Sequence, residues 1–241
     1  MAVYWETEIA LATMPLLSQR DGAGLYSAPR KLLVKHEKFD ADDYLPMVDD
    51  TIVPFIVHAR QVSSGVVDRE NTQPFKNGCT VFCHNGTISR LDLPTSKVEV
   101  TDDSDDMLKK LCNIVNRSDS WLLAKSLASS TVEQAEPVLK EFTDRNNFIL
   151  YNEVERKFLV MGTFHMIVDG PTKRVRAITY RTPELEGGII VTGSLVISAD
   201  GDILVRDIVP YREPVAERTE WPRGTYSGRG QTKVDASYWR R

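Results

Sequence analysis

The sequence predicts an α+β fold in which antiparallel strand pairs dominate, and three observations carry the prediction. Its patterning runs in blocks: an amphipathic segment and hairpins first, helical stripes in the middle, and strands from residue 147 onward, the order of an α+β chain. The late strands are short and are separated by turn pairs at Asp169-Gly170, Gly187-Gly188 and Asp200-Gly201, which favours pairing between neighbours in the chain. Length and composition fit one large domain of 241 residues, 41% hydrophobic and 27% charged, as in an ordinary globule. The formal net charge of -4 implies no whole-molecule attraction to nucleic acid or to an anionic membrane. No apolar run of about eighteen residues occurs, and no basic-then-apolar leader opens the chain. The expectation is a soluble cytoplasmic protein.

Taken in order, Val3 to Leu17 carries apolar residues at Val3, Ile9, Ala10, Leu11, Met14, Leu16 and Leu17 and reads as a helix kinked near its end by Pro15. Asp21-Gly22-Ala23-Gly24 turns the chain into a hairpin of Leu25–Ala28 and Lys31–His36, and Asp40–Asp50 reads as a solvated acidic loop. Apolar β-branched runs follow at Ile52–Val57 and Cys79–Cys83. After a linker with a short strand at Lys97–Val100, Asp103 or Ser104 caps a helix striped by Met107, Leu108, Leu111 and Val115. Ser120–Ser129 and Val132–Phe142 read as two more helices, the second disturbed by Pro137. The strands are then Phe148–Tyr151, Lys157–Met161, His165–Val168, Lys173–Tyr180, Ile189–Ser198 and Asp202–Val209.

The stretch Ile52 to Ser89 concentrates the chemistry. Its two strands deliver His58 and Arg60, and His84, Asn85 and Gly86, to one place, with Ser63, Ser64, Gly65, Asn71, Gln73, Pro74 and Phe75 in the loop between them. The order H-x-R-x-x-S-x-G, N-x-Q-P-F, H-N-G resembles the glutaminase domain of class II glutamine amidotransferases, which are N-terminal nucleophile hydrolases. Gln19-Arg20-Asp21-Gly22-Ala23-Gly24 is similar to the family's R-G-x-D-G-A-G turn with one glycine missing, and Thr101 to Asp106 is similar to its acidic element. The resemblance covers roughly residues 1 to 205. It implies a four-layer αββα sandwich of two mostly antiparallel sheets over residues 1–210, with Asn147 to Gly162 as a second-sheet hairpin.

It also implies roles. Arg60 matches the arginine that holds the substrate α-carboxylate, a bidentate pairing suited to guanidinium. Asn85 and Gly86 match the oxyanion-hole pair, and Asp103, or Asp105 with the register slipped by two, matches the carboxylate that holds the substrate amine. Ser63 and His84 complete the ligand-binding set. In the family a cysteine at the N-terminus attacks the amide, with its own α-amine as base, because an α-amine is partly unprotonated near neutral pH. Here the chain reads Met1-Ala2-Val3, so that nucleophile is missing, and the helical reading of residues 3 to 17 leaves no strand to carry one. The expectation is a pseudoenzyme. Other readings of the same residues stand beside these roles. Asn85-Gly86 is also the favoured type I′ turn pair, Arg60 could pair with one of Asp102 to Asp106, His58 and His84 read as structural hydrogen-bonding histidines, and Pro74-Phe75 packs a loop on the sheet.

Cys79, Cys83 and Cys112 read as buried thiols of a reducing compartment; with no third and fourth ligand nearby, no metal or other cofactor is expected. The tail from 211 to 241 is poor in aliphatics and mixes seven Lys/Arg and four Asp/Glu with Tyr211, Trp221, Tyr226, Tyr238 and Trp239. Such a segment anchors on a surface, so Trp221, Tyr226, Tyr238, Trp239 and Arg240 are expected to bind a protein partner, another subunit or the chain's own domain. The functional expectation is a non-catalytic glutamine amidotransferase-like domain with a vestigial glutamine-like ligand and a binding or assembly role. Compact members of this sort are familiar from bacteriophage genomes, so the resemblance places it in a host cytoplasm or a virion. Two alternatives stay open: an active amidotransferase whose nucleophile lies outside this sequence, and single-stranded nucleic-acid binding through the tail.

Overall fold

The computed structural model describes residues 1–16, 21–38, 40–61, 67–88, 117–143, 146–180 and 188–211, all within one compact unit, Met1–Tyr211. Eleven strands among them form one continuous antiparallel sheet. They are β1 (Ala2–Tyr4), β2 (Ala23–Ser27), β3 (Leu32–His36), β4 (Phe55–Ala59), β5 (Phe75–Asn77) and β6 (Thr80–Asn85), then β7 (Asn147–Asn152), β8 (Lys157–Val168), β9 (Val175–Thr179), β10 (Ile189–Ser198) and β11 (Ile203–Pro210). The hydrogen-bonded path runs β3-β2-β4-β1-β9-β8-β7-β6-β5, with β10 on β8 and β11 on β10. The first half of β8 pairs with β7 and its second half with β9, while β10 follows it along nearly its whole length. Two arms, β7-β6-β5 and β9-β1-β4-β2-β3, therefore leave the same side of β8, and the sheet curls into a nearly closed barrel.

Strand alternation sorts the core. Val3, Ile56, Val81, Cys83, Phe158, Val160, Phe164 and Ile178 point into one cluster shared by both arms. Ala2, Tyr4, Leu25, Phe55 and Val57 point outward and meet Ala10 and Met14, the first on helix α1 (Thr7–Thr13) and the second in the short 3-10 turn that follows it. Phe82, Phe148, Leu150 and Leu159 point outward from the other arm onto Leu123, Ala124, Val132, Ala135 and Leu139. Those residues belong to helices α2 (Asp119–Ser126) and α3 (Val132–Lys140). Ser118 caps α2, and Thr131 with Gln134 forms a capping box on α3. Each fully buried large side chain contributes roughly 1.5–3 kcal/mol.

Three expectations are corrected. Val3 to Leu17 is not one helix: Ala2–Tyr4 is a strand between β4 and β9, and the helix begins at Thr7. Because β1 is buried on both faces, it shows no alternation to distinguish it from a helix start. The acidic segment from Asp40 is more than a solvated loop, since Tyr44 is fully buried and its hydroxyl donates to the Ala23 carbonyl at 2.7 Å. Lys157–Met161 and His165–Val168 are one strand. Gly162 joins them at φ +111, opposite Gly193 of β10 at φ +139, and these paired glycines bend both strands where one arm gives way to the other.

The bend yields a test. A Cβ on Gly162 would lie 2.2 Å from Asn147 Oδ1, while Gly170 has open space around it. Gly162→Ala is expected to lower the unfolding free energy by about 2–4 kcal/mol and Gly170→Ala by under about 0.5 kcal/mol, both measured by denaturant titration.

Candidate functional site

The two arms meet at a buried junction built from residues of the central stretch. β5 is three residues long, and where its backbone leaves the sheet the side chain of Gln73 continues the ladder. Gln73 Oε1 accepts from the His84 N–H at 2.6 Å, and Gln73 Nε2 donates to the His84 carbonyl at 3.1 Å. His58, near the end of β4 on the other arm, approaches the same carbonyl with Nε2 at 3.1 Å. All three side chains are buried.

His84 itself is held on the outer face. Its Nε2 donates to Asn146 Oδ1 at 2.9 Å, because the Asn146 amide is oriented by its own donation to the Phe142 carbonyl. Its Nδ1 lies 2.8 Å from Ser120 Oγ, and its ring stacks on Phe148 at 5.1 Å. Burial lowers the His84 pKa against the pull of Asp119 and Asn146, so the ring is neutral and accepts at Nδ1 from the serine. Burial first, and then the positive charge at the Met1 amino group, push His58 well below its ordinary value. The neutral His58 donates from Nε2, and its buried Nδ1 has no partner.

Beyond the junction the strand ends converge. Arg60 N–H donates to the Gly22 carbonyl at 2.7 Å and Asp21 N–H to the Arg60 carbonyl at 3.1 Å, so the Asp21-Gly22 turn and the end of β4 form one ladder. Gly24 is obligatory there, because a Cβ would stand 2.4 Å from the Gln73 carbonyl oxygen. The two glycine-bearing and amide-bearing motifs thus fit against each other. Arg60 continues the alternation of Ile56 and His58, and Asn85 that of Val81 and Cys83, so both are directed into the space shared by the arms. Arg60 is buried; burial lowers its pKa against the charges of Asp68, Asp21 and Asp119. Asn85 is half-buried, and Gly86 follows it at φ +142.

Continuing the β1 register by one residue sets Met1 beside His58. Met1 is buried in the inner cluster, while Ala2 faces outward into the other. Burial lowers the Met1 amino group to about 6. Burial also pushes the Cys83 thiol up and brings Lys35, stacked over Phe75 at 5.0 Å, down to about 8.

Of the residues expected to form the site, Arg60, His84, Asn85 and Gly86 lie at this one end of the strands. His84 uses both ring nitrogens within the protein and supports the site from behind. Asn85 ends a strand without a positive φ, so the type I′ reading of Asn85-Gly86 is replaced by a single left-handed glycine. Ser63, Asp103, Asp105, the Lys97–Val100 strand and the helix after Asp103 lie outside the described residues. So do Trp221, Tyr226, Tyr238, Trp239 and Arg240. Sequence reasoning passed over Asp119, a buried carboxylate that accepts from the Ile88 N–H at 2.9 Å and from the Ser120 N–H at 2.7 Å. The run Ser118-Asp119-Ser120 ahead of an apolar helix was its available signal. Among the described residues no group of three or more His, Cys, Asp and Glu is placed to hold a metal, and no helix is long and apolar enough to cross a membrane.

No family model and no curated protein matches the sequence. Solved structures do match. Glutamine phosphoribosylpyrophosphate (PRPP) amidotransferase from B. subtilis, complexed with ADP and GMP, aligns over 88% of this chain and 49% of its own, with TM-score 0.50 and 14% identity. A protein described as a predicted glutamine amidotransferase from Pseudomonas aeruginosa PA01 aligns over 78% and 88%, with TM-score 0.40 and 17% identity. The chain has a glutamine amidotransferase-like fold, and it spans about half the length of the B. subtilis enzyme chain.

The junction predicts a pH dependence. His58 and His84 are lowered from 6.5 in the fold, so below about pH 6.5 the unfolded chain binds more protons than the native one and stability falls with pH. The denaturation midpoint is expected to drop between pH 7 and pH 5, and His84→Gln should drop less steeply over that range. An unchanged slope would remove His84 from the explanation.

Proposed function

We propose that this chain is a non-catalytic class II glutamine amidotransferase-like domain that binds a glutamine-like ligand at the convergent ends of β4 and β6. In this reading the two arms correspond to the two sheets of the αββα sandwich. Arg60 faces the ligand carboxylate, Asn85 and Gly86 face its amide, and Asp103 or Asp105 receives its amine. The carrying observation is the convergence of Arg60 and Asn85 at the ends of β4 and β6, both directed into the space shared by the arms. Cys83 is sealed in the inner cluster with its thiol pushed up by burial, which opposes thiolate formation. That sealed thiol is what supports the non-catalytic reading among the described residues. A binding or assembly role in a cytoplasm or a virion, with the tail after residue 211 as anchor, extends the proposal.

Glutamine is the probe. Incubated with the full chain, it should release no glutamate or ammonia above a protein-free control, yet millimolar glutamine should raise the melting temperature, as a ligand selective for the native state must. Arg60→Ala should abolish the rise. Ammonia release that falls about 10²–10³-fold in Asn85→Ala would instead establish an active amidotransferase, and the absence of any thermal shift would overturn the ligand.

A further inference from the structure

At the opposite end of the strands from Arg60 and Asn85, a cavity of about 560 Å³ opens between the arms. That volume lies in the range of small-molecule sites. One arm contributes Trp5 and the Val53-Pro54 pair, the other Tyr151, Glu153 and Arg156, and the β2–β3 turn adds Lys31. Its walls are aromatic: Trp5 meets Phe158 edge-on at 5.0 Å, and Tyr151 lies 4.5 Å from the same ring.

The charged groups there that are not paired with each other are mostly cationic. Trp5 Nε1 is buried without a partner, so a molecule in the open cavity would meet the indole ring and not its N–H. Lys31 and Arg156 enter none of the ion pairs among the described residues. Glu153 is already engaged: Lys76 Nζ donates to its Oε1 at 2.5 Å, and the Tyr26 hydroxyl donates to the same oxygen. Burial would raise its pKa, but those two bonds and the charges of Lys76 and Lys31 hold it below the usual carboxylate value. Asp200 is the remaining carboxylate and stands exposed at the rim. With Lys76 and Glu153 cancelling, two exposed cations, Lys31 and Arg156, face one exposed anion.

Both cations also occupy unusual backbone. Lys31 sits at φ +50 and Arg156 at φ +54, two of four non-glycine residues with positive φ among those described. Left-handed turns are filled most cheaply by Gly or Asn, and residues held there against that preference gather at ligand sites. We propose that this cavity binds a small aromatic carboxylate, its ring against Trp5 and Tyr151 and its carboxylate between Lys31 and Arg156. The site is separate from the amidotransferase-like one and does not rest on it.

Benzoate tests the proposal on the full chain, with the Trp5 indole ¹H–¹⁵N resonance as reporter, assigned through Trp5→Phe. Benzoate should shift that resonance saturably, while benzyl alcohol, lacking the charge, and inorganic phosphate, lacking the ring, should bind at least about tenfold more weakly. The double variant Lys31→Gly, Arg156→Gly removes both charges yet suits the left-handed backbone. It should keep or gain thermal stability while losing at least about tenfold in benzoate affinity. A resonance that does not saturate with benzoate, an affinity unchanged in the double variant, or a large loss of stability in it would each overturn the proposal, the last by making the cations structural.

Discussion

The structure depends on the side-chain amide of Gln73 standing in for a strand. An antiparallel sheet must pair each backbone group it buries, and β5 stops before β6 does. At His84 the missing partner is supplied in both directions by one glutamine side chain. The same carbonyl receives His58 from the other arm. A backbone oxygen has two lone pairs, and here one serves each arm of the sheet. What looks from the sequence like a string of polar residues around a pocket is first a means of closing a barrel whose edge strands do not pair.

That closure fixes the ends of β4 and β6 relative to each other, and with them Arg60 and Asn85. It also explains the glycine and amide motifs as one unit. Gly24 has no side chain because the carbonyl of Gln73 passes where a Cβ would be, and the Gln73 amide then reaches His84. His84 is in turn fixed from the outer face by Ser120, Asn146 and Phe148. The supports of the convergent end are buried and its histidines neutral, and neutrality is what acid removes.

Much of this was legible. The turn signals and β-branched runs located Ile189–Ser198 to the residue, and motif order brought the Asp21-Gly22 turn, the Gln73 loop and His84 to one neighbourhood. The failures have physical causes. β1 is three residues, buried on both faces, so hydrophobic periodicity is silent there. Tyr44 lies in an acidic run, and composition conceals a single buried ring. Gly162 reads as a strand break because a lone glycine marks a bend as readily as an end. Asn85-Gly86 has turn composition, but pairing with Asn147 keeps Asn85 in the strand. Asp119 was invisible as more than a helix start, since nothing in a sequence tells that Ile88 will come to it.

The measurement that bears most directly on this account is the stability of Gln73→Leu. The substitution keeps an apolar body near the size of the amide but leaves the buried His84 N–H without a partner and its carbonyl with only His58. The account predicts a loss of about 2–4 kcal/mol in denaturant unfolding, with the His84 amide proton exchanging faster than its β6 neighbours. A loss under about 0.5 kcal/mol with His84 still protected would show that the arms are held together by something other than this junction.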